Sequence, residues 1–263
     1  CWFFVVSLLF FVVCSIRLCE TETTEVALVI MVLIRLISVA TYVYFLYATL
    51  VFFAWMINLV HAFPAVHQVF PYSIDPIQRS GGSNDNAIAF VWNVIFLARF
   101  TVIHSILARP NVKEWFSWLP TGSYRSVYVL HASCELHTIA AKWVPLFTAL
   151  PPIWDTSGGV TVVLVGVFAS GCAIITISLF ALDHFEMMGI SQAFGVDCSK
   201  ICGLPSSSGQ FQVKFLYRFV RHPLMTGFLL TFWSVPTMTL NHFVFSALMS
   251  LYIVIAVSVF EEP

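Results

Sequence analysis

Charge is what this sequence has least of. Only 10% of its 263 residues are Asp, Glu, Lys or Arg, against about 25% in ordinary soluble domains. So few charges do not clothe the surface of a soluble protein of this size. Twelve basic and 13 acidic residues leave a net charge of -1. There is no cationic excess to meet phosphates, which argues against a nucleic-acid partner. Disorder is excluded, because it needs low hydrophobicity and 59% of the chain is hydrophobic. No GxGxxG, P-loop, HExxH, GxSxG or N-x-S/T site occurs, so none of those chemistries has support. No CxxC pair occurs either. The seven cysteines are Cys1, Cys14, Cys19, Cys134, Cys172, Cys198 and Cys202. Cys198 and Cys202 have no matching His or Cys pair, so no metal site is expected and the cysteines read as free thiols.

What the chain has in quantity is long apolar runs. A bilayer-crossing helix needs about 20 mostly apolar residues. The runs predict spans over Leu36–Val60, Ala87–Leu107, Val127–Leu146 and Val160–Leu182. Pro223–Phe260 is too long for one crossing, and Pro236 to Asn241 carry turn chemistry. It is therefore read as a helical hairpin with arms near Pro223–Val235 and Asn241–Phe260. The expected fold is an all-α polytopic membrane protein with about six transmembrane helices, the last two a hairpin. An extra N-terminal span is an alternative for Cys1–Ile16, which reads either as a truncated span or as a signal-anchor core. The expected division is an N-terminal hydrophobic segment over residues 1–25 and one membrane domain over 26–263. With Cys at its start and Glu261-Glu262-Pro263 directly after an apolar run, the chain reads as a fragment. The numerous Phe, Trp and Tyr are expected to be mostly lipid-facing and interfacial. Gly166 and Ser170 offer a weak small-xxx-small packing signal.

Lys and Arg in short loops set orientation. Arg109, Lys113 and Arg125 fall in one loop, and Lys200, Lys214, Arg218 and Arg221 in another on the same face. The other face has Arg79 and Lys142. The basic face is expected to be cytoplasmic. The hairpin enters after Arg221-His222 and returns at Glu261-Glu262, so a cationic and an anionic segment meet at one surface.

Arg218-Phe219-Val220-Arg221-His222-Pro223 reads as a topology-fixing cluster or as a carboxylate site, since Arg offers a planar fork. Asp183-His184-Phe185-Glu186 reads as an interfacial cap or as a site for a ligand's amine or hydroxyls. His104, Arg109 and Arg125 share that face. Arg99 and Glu135 lie within spans, where ionisable groups are costly, and are expected to form a structural interhelical pair.

Tyr217-Arg218-Phe219-Val220-Arg221-His222-Pro223-Leu224-Met225-Thr226-Gly227, followed by Phe232-Trp233-Ser234-Val235-Pro236-Thr237-Met238-Thr239, resembles the nurim-like family, especially its methanethiol S-methyltransferase branch. His104-Ser105-Ile106-Leu107-Ala108-Arg109-Pro110 is similar to the family's HSxxARP, and Arg125-Ser126-Val127-Tyr128-Val129-Leu130 to its RSxYVL. Asp183-His184-Phe185-Glu186-Met187-Met188-Gly189-Ile190-Ser191-Gln192 is similar to its DHFxLFGLxQ, and Ser73-Ile74-Asp75 to a loop SID. The likeness runs in order from about Arg35 to Glu262. More distantly, the RHPxYxG opening and closing Glu-Glu resemble isoprenylcysteine carboxyl methyltransferases, with Met225 in place of the usual Tyr.

The resemblance implies S-adenosylmethionine at the cytosolic membrane face, with Arg221, His222, Pro223, Gly227, Glu261 and Glu262 on the cofactor motif. It implies transfer of methyl to a small thiol, methanethiol giving dimethyl sulfide. Either a cationic His222 or Arg109 would favour the thiolate, or His184 would take the proton, while His104, Asp183 and Glu186 are the expected substrate residues. Two rival readings are a nurim-type nuclear inner membrane protein and a methyltransferase of a larger lipid or prenylated thiol. The expected membrane is the nuclear envelope or endoplasmic reticulum in a eukaryote and the inner membrane in a bacterium.

Overall fold

A computed structural model describes residues 24–75, 86–117, 119, 123–181, 183–202 and 220–260. The helices run in the order α1 (Thr24–Met56), α2 (Leu59–Ala62), α3 (Asn86–Leu107), α4 (Pro110–Trp115), α5 (Ser123–Lys142), α6 (Gly159–Ala181), α7 (His184–Met187), α8 (Ile190–Phe194), α9 (Cys198–Ile201), α10 (Pro223–Trp233) and α11 (Leu240–Phe260). Two short strands, β1 (Trp154–Asp155) and β2 (Thr237–Met238), pair antiparallel with Trp154 opposite Met238. The chain is an all-α integral membrane protein.

Four helices are long and apolar enough to cross a bilayer: α1, α3, α6 and α11. Two more complete the bundle by different means. α5 is too polar to pass as a span, with Ser126, His131, Ser133, Cys134 and Glu135 all buried. It lies between α1 and α3, so its polar face meets protein rather than lipid. α10 has only 11 residues, a rise of about 16 Å. The extended stretch through β2 carries the chain the rest of the way. The hairpin expected from the sequence is therefore present, but its tip is a strand paired to β1 instead of a simple turn. The first helix also differs from the expected Leu36–Val60. It begins at Thr24 and ends at Met56, followed by Asn58 in the left-handed region at φ 53°. Its 33 residues rise about 50 Å, well beyond a hydrocarbon core of about 30 Å. It must tilt or protrude. The expected boundary after residue 25 falls inside this helix's first turn, and Cys1–Ile16 lies outside the described residues.

Neighbouring long helices are antiparallel. Tyr124 at the start of α5 bonds the Leu107 carbonyl at the end of α3, and Asn93 near the start of α3 bonds Val144 just past α5. α6 and α10 cross so closely that a Cβ on Gly171 would stand 2.9 Å from the Gly227 carbonyl oxygen, and one on Gly227 would stand 2.7 Å from Ile175 Cγ1. Close backbone approach through small residues is how membrane helices gain packing that lipid cannot supply. Gly166 takes no part in this crossing: a Cβ there would meet nothing within 4 Å among the described residues.

The aromatics also correct expectation. Many face outward, Trp92, Phe90 and Trp115 among them. The largest fully buried side chains, however, include Trp55, Phe232 and Phe245. Trp55 meets Phe245 edge-on at 5.1 Å, and Trp143 and Phe232 meet the same ring at 5.5 and 5.6 Å. Edge-to-face contacts of this kind contribute beyond area alone.

One polar knot fastens this core at the end away from the basic loops. The Oδ1 of Asn241 accepts from Trp143 Nε1 at 2.9 Å and from the Leu146 amide at 3.1 Å. Its Nδ2 donates to the Ile74 carbonyl at 2.6 Å and to Asp75 Oδ1 at 3.0 Å. Asp75 also accepts from Thr239 Oγ1 at 2.6 Å and from Asn58 Nδ2 at 2.9 Å. Replacing Asn241 with Leu strands several buried donors and acceptors, each costing about 1–3 kcal/mol. Thermal unfolding in detergent is expected to show a large loss of stability for Asn241→Leu, about 2–4 kcal/mol in total. Thr239→Val removes a single bond and is expected to cost about 1 kcal/mol.

Candidate functional site

The sequence elements singled out for chemistry gather at the opposite end of the bundle. There α3 ends, α5 begins, α6 ends and α10 begins, with α4, α7, α8 and α9 between them. Arg109, Lys113, Arg125, Lys200 and Arg221 belong to this end. Lys142 closes α5 at the other. Arg79, Lys214, Arg218, Glu261 and Glu262 lie outside the described residues. α11 runs back to this end and finishes at Phe260, directly before the two glutamates.

Asp183 starts the Asp-His-Phe-Glu turn from a left-handed backbone, φ 64° and ψ 77°. Asp is one of the few residues that visits this region. Its buried carboxylate earns the conformation by accepting the Glu186 amide at 3.2 Å, an N-cap. His184 is likewise buried. It stacks on Phe180 at 4.4 Å and meets Tyr42 and Phe185 edge-on. Its Nε2 shares a 3.0 Å hydrogen bond with Tyr42 Oη, and its Nδ1 is buried without a partner among the described residues. Burial pushes this imidazole below its ordinary pKa, and the Asp183 carboxylate pulls it partly back. Glu186 is half-buried, and its carbonyl accepts from Gln192 Nε2 at 3.1 Å.

Gly189 follows, at φ 81°. A Cβ there would lie 2.7 Å from Ser126 Oγ and 3.0 Å from Arg125 Cβ. The Asp183 block and the Arg125-Ser126 block are thus two sides of one contact, which neither block reveals alone. Ser126 also shares a 2.8 Å bond with Ser38 of α1. Arg35 of the same helix lies over the Phe194 ring, 5.5 Å from its centre.

On the other side of α5, His104 Nε2 meets Tyr128 Oη at 2.8 Å, and Ser105 meets Tyr252 of α11 at 3.0 Å. Arg109 is exposed and caps α4, whose first helical residue is Pro110. Deeper in the seam, Arg99 Nε and Glu135 Oε2 pair at 2.8 Å. This is the interhelical pair expected from the sequence. Glu135 is buried and Arg99 is partly exposed, so the pair serves helix packing.

Arg221 is exposed and His222 half-buried at the start of α10. The His222 carbonyl accepts from the Thr226 amide at 3.0 Å and its hydroxyl at 3.1 Å, and Pro223 takes the first helical position. Proline fits there because its missing N–H would be unpaired anyway. Gly227 is buried in the α6–α10 crossing, a packing position. The structure thus brings His104, Arg109, Asp183, His184, Glu186, Arg221 and His222 to one end, with α5 standing between the His104 and His184 sides. Sequence reasoning missed Tyr42, and it met Tyr128 only as the tyrosine of the RSxYVL block, without its histidine partner. Spacing does not reveal either pairing, because the partners are 142 and 24 residues away.

A cavity of about 500 Å³ opens at the other end, lined by Asn58, His61, Asp75, Thr237, Thr239 and apolar side chains. It flanks the polar knot of that end.

The cap at Asp183 gives a simple test. Asp183→Ala loses the cap and keeps the strained backbone, so thermal unfolding in detergent is expected to show about 1–2 kcal/mol of lost stability. Asp183→Asn keeps an accepting oxygen and tolerates the left-handed region, so it is expected to lose less than half of that.

No protein-family model matches the sequence, and no solved structure is detectably similar. Characterised proteins are. The chain is 36% identical over 219 residues to methanethiol S-methyltransferase 2 of Bradyrhizobium diazoefficiens, covering 82% of this chain and 80% of that protein. It is 37% identical over 175 residues to the methanethiol S-methyltransferase of Mycobacterium tuberculosis, covering 66% and 69%. Nurim of Bos taurus is 26% identical over 176 residues, covering 64% of this chain and 65% of that protein. The helical membrane fold, the ordered motif blocks and the extent of these matches together place the chain in the methanethiol S-methyltransferase family, within the wider nurim-like group.

Proposed function

We propose that this protein methylates methanethiol to dimethyl sulfide, using S-adenosylmethionine at the cytoplasmic face of its membrane. The observation that carries this reading is the convergence of the α10 start, the α11 end and the Asp183-His184 turn at one basic end of the bundle. That end fits the cofactor's carboxylate. Arg221 supplies an exposed cation beside a helix N-terminus, where a negative group is favoured. Glu261 and Glu262, directly after α11, suit the ribose hydroxyls or the amine. When bound, the cofactor supplies an electrophilic methyl on a sulfonium.

The rest of the work belongs to the chain's own residues. Methyl transfer is an in-line displacement, so holding two reactants in register is most of the task. The thiol must also lose its proton, because the thiolate is the nucleophile. His184 suits this role. Burial depresses its pKa, so it is neutral and able to accept a proton at physiological pH. Asp183 beside it favours the cation that results. Arg109 and His222 add positive character at the same end, favouring the thiolate, while His104, Asp183 and Glu186 are placed to shape the substrate's approach. A small apolar thiol partitions into lipid, and the exposed apolar faces of α3 and α6 put the bundle in contact with that lipid. The excess of Lys and Arg at this end supports a cytoplasmic orientation.

The test is direct. With S-adenosylmethionine and methanethiol, purified protein is expected to release dimethyl sulfide measurable by gas chromatography. Arg221→Ala and Glu262→Ala are each expected to lower the rate by about 100-fold. Absence of both product and cofactor binding would instead support a non-catalytic role such as the nurim likeness suggests. The pH profile supplies a second expectation. Because the His184 pKa is lowered, the acid limb of kcat is expected below the ordinary histidine value of about 6.5. A limb at or above that value argues against His184 as the proton acceptor.

A further inference from the structure

We infer that Tyr42 of α1 is a positioning residue for the methyl-transfer reaction: its hydroxyl fixes the His184 ring so that Nδ1 presents its lone pair to the substrate thiol. The inference rests on the function proposed above and adds a residue from a helix that no motif marked.

The geometry admits few alternatives. Three aromatic rings hold the imidazole. Phe180 stacks on it at 4.4 Å, and Tyr42 and Phe185 meet it edge-on at 5.5 and 5.6 Å. Only one hydrogen bond reaches its ring nitrogens among the described residues, from Nε2 to Tyr42 Oη at 3.0 Å. Nδ1 is buried and bare. The bond to Tyr42 therefore decides the tautomer. If the tyrosine donated to Nε2, Nδ1 would carry a buried N–H with no acceptor. If Nε2–H donates to the tyrosine oxygen, Nδ1 keeps a bare lone pair. Orphaned buried N–H groups are the rarer kind, so the second arrangement is favoured. It is also the arrangement a base needs, and a second-shell bond of this sort commonly fixes which nitrogen reacts.

Bare ring nitrogens are not confined to this end: His242, buried beside Asn241, has both of its nitrogens without a partner among the described residues. Leaving Nδ1 of His184 bare costs about 1–3 kcal/mol, and a thiol proton arriving there would give it the partner it lacks. The charged surroundings suit proton uptake. Asp183 lies next in sequence and Glu186 two residues on. Against these, α1 carries Arg35 and α9 carries Lys200, while α6 and α8 contain no charged side chain and α9 brings the Cys198 thiol to the same cluster. In the reaction the S–H bond of the thiol breaks and its proton passes to Nδ1. The sulfur's electron pair forms the new S–CH3 bond, while the donor's C–S bond breaks with its pair left on the donor sulfur. Nδ1 then returns the proton to water at the basic end.

Tyr42→Phe keeps the ring that packs on His184 and removes only the hydroxyl. The full chain in lipid nanodiscs, labelled with 15N-histidine and assigned by comparison with His184→Gln, is expected to show one neutral His184 tautomer, protonated at Nε2. Tyr42→Phe is expected to mix the tautomers. An unchanged His184 spectrum overturns the inference, and this readout needs neither cofactor nor turnover. In the methanethiol assay, kcat at neutral pH is expected to fall about 10- to 100-fold in Tyr42→Phe, with S-adenosylmethionine affinity by calorimetry within about twofold. The deficit is expected to shrink as pH rises towards the thiol's own pKa, where solution supplies thiolate and no base is needed. Wild-type activity in the variant, or a deficit equal at every pH, overturns the inference, the latter because a packing defect is indifferent to thiol ionisation. If the wild-type protein forms no dimethyl sulfide, methyl transfer to methanethiol fails as a reading, and the histidine spectra still decide the Tyr42–His184 relationship.

Discussion

The architecture hangs on a requirement that lipid imposes: a polar group inside the bundle must find its partner in protein. Asn241 meets it most fully. One side-chain amide joins the start of α11, the end of α5, the chain beyond it at Leu146 and the Ser73–Asp75 loop through four hydrogen bonds. Each is protected from competing water, so the four act as a fastener that sets the depth of α11 against α5. The aromatic cluster of Trp55, Trp143, Phe232 and Phe245 then packs directly beneath. With that end fixed, the helices can splay or adjust only at the other.

The other end is built differently. Its short helices are joined by left-handed turns at Asp183, Gly189 and Gly195, and its contacts are single hydrogen bonds between distant side chains: Tyr42 with His184, Tyr128 with His104, Ser38 with Ser126. Buried ring nitrogens there are left bare. Bare ring nitrogens occur at both ends, on His184 here and on His242 beside Asn241, so the ends differ in the number of partners one side chain ties together: four for Asn241, one for each of these pairs.

Much of this was legible in the residues. Apolar runs located five of the six helices to within a few residues, because lipid demands length and hydrophobicity together. The charged residues marked out the basic end of the bundle, since so few are present that their positions are informative. The Arg99–Glu135 pair followed from the cost of two opposite charges in adjacent spans. The first helix was misjudged because its early turns, around Arg35, combine charge with apolar residues, and composition does not separate a protruding helix from a loop. The buried aromatics were misjudged because a Phe or Trp in a span looks the same whether it faces lipid or protein.

What the sequence determined by itself, then, was the medium, the helices, the charged end and the family. Those depend on composition and local order, which a linear chain carries in full. Only the tertiary structure decided which small residues touch, Gly171 with Gly227 and not Gly166, and which tyrosine meets which histidine. Those depend on helix rotation and depth. Both are set by summed packing over the whole bundle and by the Asn241 fastener, so no local pattern encodes them. The scarcity of charge announces a membrane protein with a polar end; the rotation of α1 is what brings Tyr42 to His184 and gives that end its geometry.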